Sequence, residues 1–145
     1  MNLIRTALLL CLALTQSPTW AAETIILHLG QHRVRAEIAN TPQIREHGLM
    51  QRTHLCPNCG MLFVFTKPDR YHFWMKNTPL PLSIAFIAAN GAILNMDEMQ
   101  PNSTAIHSAQ GQALYALEMN SGWFSGMGIK QGDVILGLES APHGL

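Results

Sequence analysis

Trp74-Met75-Lys76-Asn77 places an aromatic face, an ammonium and an amide within four positions, a combination that can hold a small ligand. A lysine and an arginine near an asparagine suit an anionic or polyhydroxylated molecule, and Arg45 and Arg52 are the arginines nearest in sequence. Glu118 is the most informative carboxylate. In the run Ala113–Met119 it shares a strand face with Leu114 and Ala116, while Tyr115, Leu117 and Met119 take the other. If both faces are covered, Glu118 lies inside and needs a partner: Lys76, Arg45 or Arg52. Beside Lys76 it would be a perturbed pair, able to act as general acid or base. If that face is open, Glu118 is a solvated surface charge.

Cys56-Pro57-Asn58-Cys59-Gly60 has three readings. As a disulfide it closes a very small ring and pins the loop before the next strand. As a redox pair it lacks the usual helix N-terminus, because the motif runs straight into Met61–Phe65. As a metal knuckle it needs four ligands and there is no second CxxC, so His54 and His72 would have to complete it. The compartment argued below favours the structural disulfide. Methionines and histidines raise the thought of copper, with Trp74, Met75 and His72 close together. Without a dense Met-x-Met array, Met61, Met75 and Met119 read as core filler, and no cofactor is expected. Trp74 and Trp123 could stack on a sugar or peptide, or serve the core. No GxSxG, Walker loop, GxGxxG or HExxH occurs.

These groups need elements to carry them. Thr24–Leu29 and His32–Ala39 read as strands joined at Gly30-Gln31, the second with Val34, Ala36 and Ile38 on one face and Arg33, Arg35 and Glu37 on the other. Thr41 caps a short helix with Pro42 at its first position and Gly48 at its stop. Met61–Phe65 is a strand buried on both faces. Lys67-Pro68-Asp69-Arg70 turns the chain back through His72–Met75. Leu82–Ala88, an Asn90-Gly91 turn and Ala92–Met96 form a hairpin, followed by a loop over Asp97–Ser108. After Ala113–Met119, Ser121 caps a helix holding Trp123 and Phe124. Asp133–Leu138 is the last strand, and Ser140–Leu145 a frayed tail. Short strands at regular spacing with two brief helices predict one β-dominated domain, a sandwich or jelly-roll-like shell or a partly closed barrel. No helix is long enough for a parallel α/β fold.

The first residues predict a destination. Arg5 precedes an apolar run, Ala7–Leu14, too short to span a bilayer, and Thr19-Trp20-Ala21 offers small residues for cleavage after Ala21. Residues 1–21 are thus expected to be an export signal, leaving one periplasmic or secreted domain over 22–145. The whole chain balances nine basic against nine acidic residues. Such a balance provides no field for nucleic acid or anionic lipid. A monomer with a small-molecule ligand and no membrane span after cleavage is expected.

The motifs also resemble a known family. Arg45-x-x-Gly48-Leu49-Met50-x-Arg52, Gly60-Met61-Leu62-Phe63-Val64-Phe65 and Phe73-Trp74-Met75-Lys76-Asn77-Thr78 with Pro81-Leu82 are similar to the bacterial and archaeal domain of unknown function, family 192. Ala116-Leu117-Glu118-x-Asn120-x-Gly122 and Gly132-Asp133 match in kind, so the resemblance runs over about residues 25 to 138. It implies a compact β-rich domain, often exported, and brings no reaction. It implies a signature set of Arg45, Arg52, Trp74, Lys76, Asn77, Glu118 and Asp133. The CPNC segment departs from the plain polar turn of many relatives. Three functions follow as expectations: a binding or accessory module, a hydrolase using Glu118 with Lys76, or a metal or redox protein through Cys56 and Cys59.

Overall fold

Val34, Ala36 and Ile38 are buried while Arg33 and Arg35 face water, as the alternation requires. The same period runs through Thr24–Leu29, whereas Leu82–Ile87 is buried on both faces, in a computed structural model that describes residues 22–145. The expected export signal lies outside the described residues. The order is β1 (Thr24–Leu29), β2 (His32–Ala39), α1 (Pro42–His47), β3 (Cys59–Asp69), β4 (His72–Phe73), β5 (Leu82–Ala88), β6 (Ile93–Met99), β7 (His107–Ser108), β8 (Ala113–Asn120), α2 (Trp123–Gly126) and β9 (Ile135–Leu136). Seven strands form one sheet in the order β6-β5-β8-β3-β2-β1-β9, and β4 pairs with β7 as a separate ribbon. The domain is β-dominated, and the partly closed barrel is the form it takes: the sheet curls into a half-barrel.

Its two edges meet at one end. Ala92 and Val134 bridge antiparallel, Ile93 N–H donates to the Asp133 carbonyl at 2.9 Å, and Ile135 N–H donates to the Gly91 carbonyl at 2.9 Å. The inside of the curl holds one core, to which every strand of the large sheet contributes, with Trp123 and Phe124 of α2. A second core lies on the outer face of β3, β5 and β8, built from Met61, Phe63, Phe65, Leu82, Ile84 and Phe86. Leu49, Leu55, Met75 and Ala109 from the connecting segments cover it. β8 therefore sits between two apolar layers, and both of its faces are sealed.

The structure corrects several local expectations. Pro68 lies within β3 and not in a turn; the chain reverses at Arg70-Tyr71. The register between β3 and β8 shifts between Val64 and Asp69, so a residue without an amide proton fits where the ladder is already broken. β6 continues to Met99, because Met99 is buried opposite Leu82 while the polar Glu98 beside it is exposed. β2 and β3 pair in parallel, the long connection Asn40–Asn58 with its short helix making the crossover. Gly122 caps α2, and the Ser121 hydroxyl donates to Glu98 at 2.8 Å. The last residues are tied down: Leu145 N–H donates to the Asn40 carbonyl at 2.7 Å, and Arg45 donates to the Leu145 carbonyl at 2.8 Å.

Gly91 stands at the seam with φ +86°, and a Cβ there would meet the Ile135 carbonyl oxygen at 2.8 Å. Gly91→Ala is expected to destabilise the domain by roughly 1–3 kcal/mol, through left-handed strain and the clash together. The midpoint of urea unfolding measures it, and an unchanged midpoint would mean that the seam contributes nothing.

Candidate functional site

Among the described residues four polar side chains are buried: Thr78, Ser83, Asn95 and Glu118. Three of them are satisfied. The Ser83 hydroxyl donates to Glu98 at 2.6 Å and accepts from Gly122 N–H at 2.8 Å. Asn95 donates to the Ser108 carbonyl at 3.1 Å and accepts from Gln110 N–H at 2.9 Å, and Thr78 donates to the Lys76 carbonyl at 3.3 Å. Glu118 is 5% exposed, between Met61 of β3 and Ile84 of β5, on the face of β8 that carries the outer core. Burial pushes its carboxyl up to about 8, and no charge or hydrogen bond pulls it back. At neutral pH it holds its proton.

The arginines and the lysine expected to neutralise Glu118 are engaged elsewhere. Arg45 donates to the carbonyls of Asn40 at 2.6 Å and Val64 at 2.9 Å, and its guanidinium lies 5.6 Å from the Phe65 ring centre. Arg52 makes a two-pronged pair with Glu37 at 2.8 and 2.6 Å. Lys76 rests over the Trp74 ring, 5.2 Å from its centre. A buried acid can be accommodated by pairing or by protonation, and this fold uses protonation.

Glu118 lies at the base of a hollow of about 240 Å³ lined by Arg45, Glu46, His47, Gly48, Leu49, Met50, Phe63, Phe65, His72, Phe73, Trp74 and Thr78. An adjoining hollow of about 420 Å³ is lined by Gln43, Lys76 and Asn77 and shares Glu46, His47, Met50 and Trp74 with the first. Together they make one groove, with Glu118 lining the first hollow and Lys76 the second. Aromatic edges form its wall: Phe63 meets Phe73 edge-on at 4.9 Å, and Phe73 meets Phe86 at 5.6 Å. Trp74 is 46% exposed where the two hollows join.

Local chemistry explains why these segments lie where they do. Thr41 accepts the Ile44 N–H at 3.2 Å and starts α1, which buries none of its residues. The helix forms a rim and adds nothing to the core. It stops at Gly48, where φ is +50° and a Cβ would press on the Phe63 ring at 3.3 Å. The chain can then cross the aromatic wall and bury Leu49. Asn77 takes φ +56°, a conformation asparagine tolerates, and its carbonyl accepts Gln51 N–H at 2.8 Å. Met75 N–H donates to the Ser103 carbonyl at 2.9 Å. The loop bearing Trp74, Lys76 and Asn77 is thus anchored on both sides.

Of the residues expected at the site, Arg45, Trp74, Lys76, Asn77 and Glu118 line this groove. Arg52 and Asp133 do not. Asp133 sits at the barrel seam, accepting Lys130 N–H at 2.8 Å. Trp123 is buried in the inner core, its indole donating to Asn58 at 3.0 Å, so the two tryptophans form no shared platform. Glu46, His47, Met50, Phe63, Phe65 and Phe73 join the groove without having been expected, with the exposed helix and the aromatic run after Gly60 as their only signals; His72, expected as a metal ligand, lines it too. Cys56 and Cys59 bring their sulfurs to disulfide distance, with Cα atoms 5.1 Å apart. Among the described residues no three His, Cys, Asp or Glu side chains converge as a metal would require, so His54 and His72 do not complete a knuckle. Met61, Met75 and Met119 are core residues.

Comparisons with known proteins give the following. The family model DUF192, described as an uncharacterized ACR, matches residues 25–137. A protein from Sinorhizobium meliloti, described as a proposed transcription regulator, is 35% identical, covers 84% of this chain and 98% of its own length, and superposes with a TM-score of 0.75. A protein of unknown function from Novosphingobium aromaticivorans is 33% identical, covers 82% of this chain and 89% of its own, and gives a TM-score of 0.77. No curated protein matches.

Unfolded, Glu118 ionises in the ordinary carboxylate range; folded, near 8. The native chain therefore binds a proton that the unfolded chain releases between those values, and stability falls as pH rises through that window. Urea midpoints from pH 5 to 9 are expected to lose on the order of a few kcal/mol, and Glu118→Gln to flatten most of that slope. An equal slope in the variant would mean that Glu118 is ionised when folded. Arg52→Ala is expected to cost about 1 kcal/mol or less in the same assay, since its pair with Glu37 is partly exposed.

Proposed function

Because this chain belongs to the DUF192 family, for which no reaction is described, we propose its function from the groove: it is an exported binding module for a small polar or anionic ligand. The observation that carries this reading is a protonated, unpartnered carboxyl at the base of an aromatic-walled hollow. A protonated acid donates a strong hydrogen bond to a carboxylate or hydroxyl oxygen. A ring or apolar portion would lie along Phe65, Phe73 and Trp74, and an anionic end would reach Lys76. Such a ligand matches the groove along its length.

Export rests on the apolar run Ala7–Leu14 and the small residues before Ala22. N-terminal sequencing of protein recovered from the periplasm or medium is expected to begin at Ala22, and an intact Met1 in the cytoplasm would reject it. The regulator description of the Sinorhizobium protein is not carried over: a DNA-binding face needs surplus basic charge, and this chain has none. A second reading, Glu118 as general acid of a hydrolase, keeps its acid but not Lys76 as its tuning partner, because that ammonium sits on Trp74.

A thermal-shift screen of small carboxylates and sugars tests the binding reading. A hit is expected to weaken at least about tenfold in Trp74→Ala, equivalent to ~1.4 kcal/mol. For a carboxylate hit, affinity is expected to fall above pH 8 in the wild type, and that fall to vanish in Glu118→Gln, whose amide still donates. A hit indifferent to both substitutions would place the ligand elsewhere, and substrate turnover lost in Glu118→Gln would favour the enzyme.

A further inference from the structure

The groove leaves the CPNC segment without a role. Cys56 and Cys59 are half-buried, and Pro57 and Asn58 at the tip of their turn are exposed. The simplest role for such a bond is to hold its loop, yet the loop is already held. Cys59 N–H donates to the Cys56 carbonyl at 3.0 Å, and Arg35 N–H donates to the Asn58 carbonyl at 3.0 Å. The Asn120 amide donates to the carbonyls of Leu55 at 3.2 Å and Cys56 at 3.0 Å, and the Trp123 indole donates to the Asn58 side chain at 3.0 Å. A ring this small adds little unfolded-state entropy to that set. As a staple, the bond is largely redundant.

One further contact points to chemistry. The parallel register sets Arg35 of β2 opposite Cys59, and the guanidinium nitrogen lies 3.5 Å from the Cys59 sulfur. A cation beside a sulfur favours its thiolate, and the thiol of lower pKa leaves faster in exchange. Arg35 is exposed and its pair with Cys59 is open to solvent, so a partner can approach. The two cysteines are thereby made unequal.

We infer that Cys56 and Cys59 form a thiol–disulfide exchange site that accepts two electrons from protein dithiols, with Arg35 marking Cys59 as the leaving sulfur. A partner thiolate attacks the Cys56 sulfur, a partner–Cys56 bond forms, and the Cys56–Cys59 bond breaks. Its electron pair departs on Cys59 as a thiolate facing Arg35. The partner's second thiol, deprotonated, then attacks the partner's own sulfur in the mixed disulfide and displaces Cys56, which takes a proton from water. The partner ends as a disulfide, and the cysteine pair ends reduced by two electrons. Arg35 is a positioning residue here, and the site is independent of the ligand groove.

The test equilibrates purified wild-type protein, Arg35→Ala and Arg35→Lys in glutathione buffers and reads the oxidised fraction by maleimide gel shift. The wild-type pair is expected to titrate within the glutathione range. Arg35→Ala is expected to shift the exchange equilibrium about tenfold toward the disulfide, equivalent to ~30 mV, and Arg35→Lys to restore most of it. Thiolate absorbance of the reduced protein is expected to rise at lower pH in the wild type than in Arg35→Ala. A structural staple would give the opposite results: reduction only by excess dithiothreitol, or a midpoint and thiolate titration unmoved by Arg35→Ala in a protein whose circular dichroism is unchanged. Either would overturn the proposal.

Discussion

A carboxyl group enclosed on a central strand, with hydrocarbon on both sides, is the constraint that the rest of this structure accommodates. β8 lies between β3 and β5, so Glu118 has Met61 and Ile84 as lateral neighbours and no strand edge through which to reach bulk water. Had a cation been placed beside it, an ion pair would have resulted, with the desolvation cost that buried pairs carry. Had the face been open, a surface charge would have resulted. The fold instead encloses the group until the neutral form is favoured and leaves it facing a hollow, where its hydrogen bond remains available.

The cover over that hollow is made of pieces too short to be stable alone. α1 has six residues, and the β4–β7 ribbon has two per strand. Such elements hold only through tertiary contacts. Arg45 supplies several at once, reaching Asn40, Val64 and Leu145 from the end of the helix. This clamp accounts for an arginine that lines a cavity yet makes no hydrogen bond to Glu118. The carboxy-terminal residues become part of the same clamp, and a Cβ at Gly144 would clash with the Phe65 backbone. The rim is thus fixed by the carboxy-terminal residues and by the Gln51–Asn77 hydrogen bond.

Two chemically distinct places emerge on one small domain. The groove opens on the outer face of β3, β5 and β8, whereas the cysteine loop lies where β3 begins, against β2, Asn120 and the buried Trp123. They share β3 as a common beam. Neither hollow of the groove is lined by Cys56, Cys59 or Arg35. Ligand recognition and thiol exchange, as proposed, are therefore separable by substitution.

The local periodicities were enough to establish much of this protein. Alternation in His32–Ala39 marked which side chains are buried, whereas Leu82–Ala88, read as one apolar face, is buried on both; Thr41-Pro42 marked the helix start, and the motif string from Arg45 to Asp133 marked the family. Grouping Trp74, Lys76 and Asn77 was legible because they are neighbours in sequence. The fate of Glu118 was not, because burial depends on what lies over a strand, and that cover comes from segments far away in the chain. Arg52 and Asp133 read like site residues by type, but Glu37 and the barrel seam claim them through contacts no spacing rule encodes. Pro68 marked a turn by type yet lies in a strand, because a register shift had already broken the ladder there. Sequence alone determined most of the elements, the inward face of His32–Ala39 and the grouping of Trp74, Lys76 and Asn77. Tertiary structure decided which of the candidate residues meet and which one keeps its proton, since desolvation and long-range pairing are properties of the assembled chain.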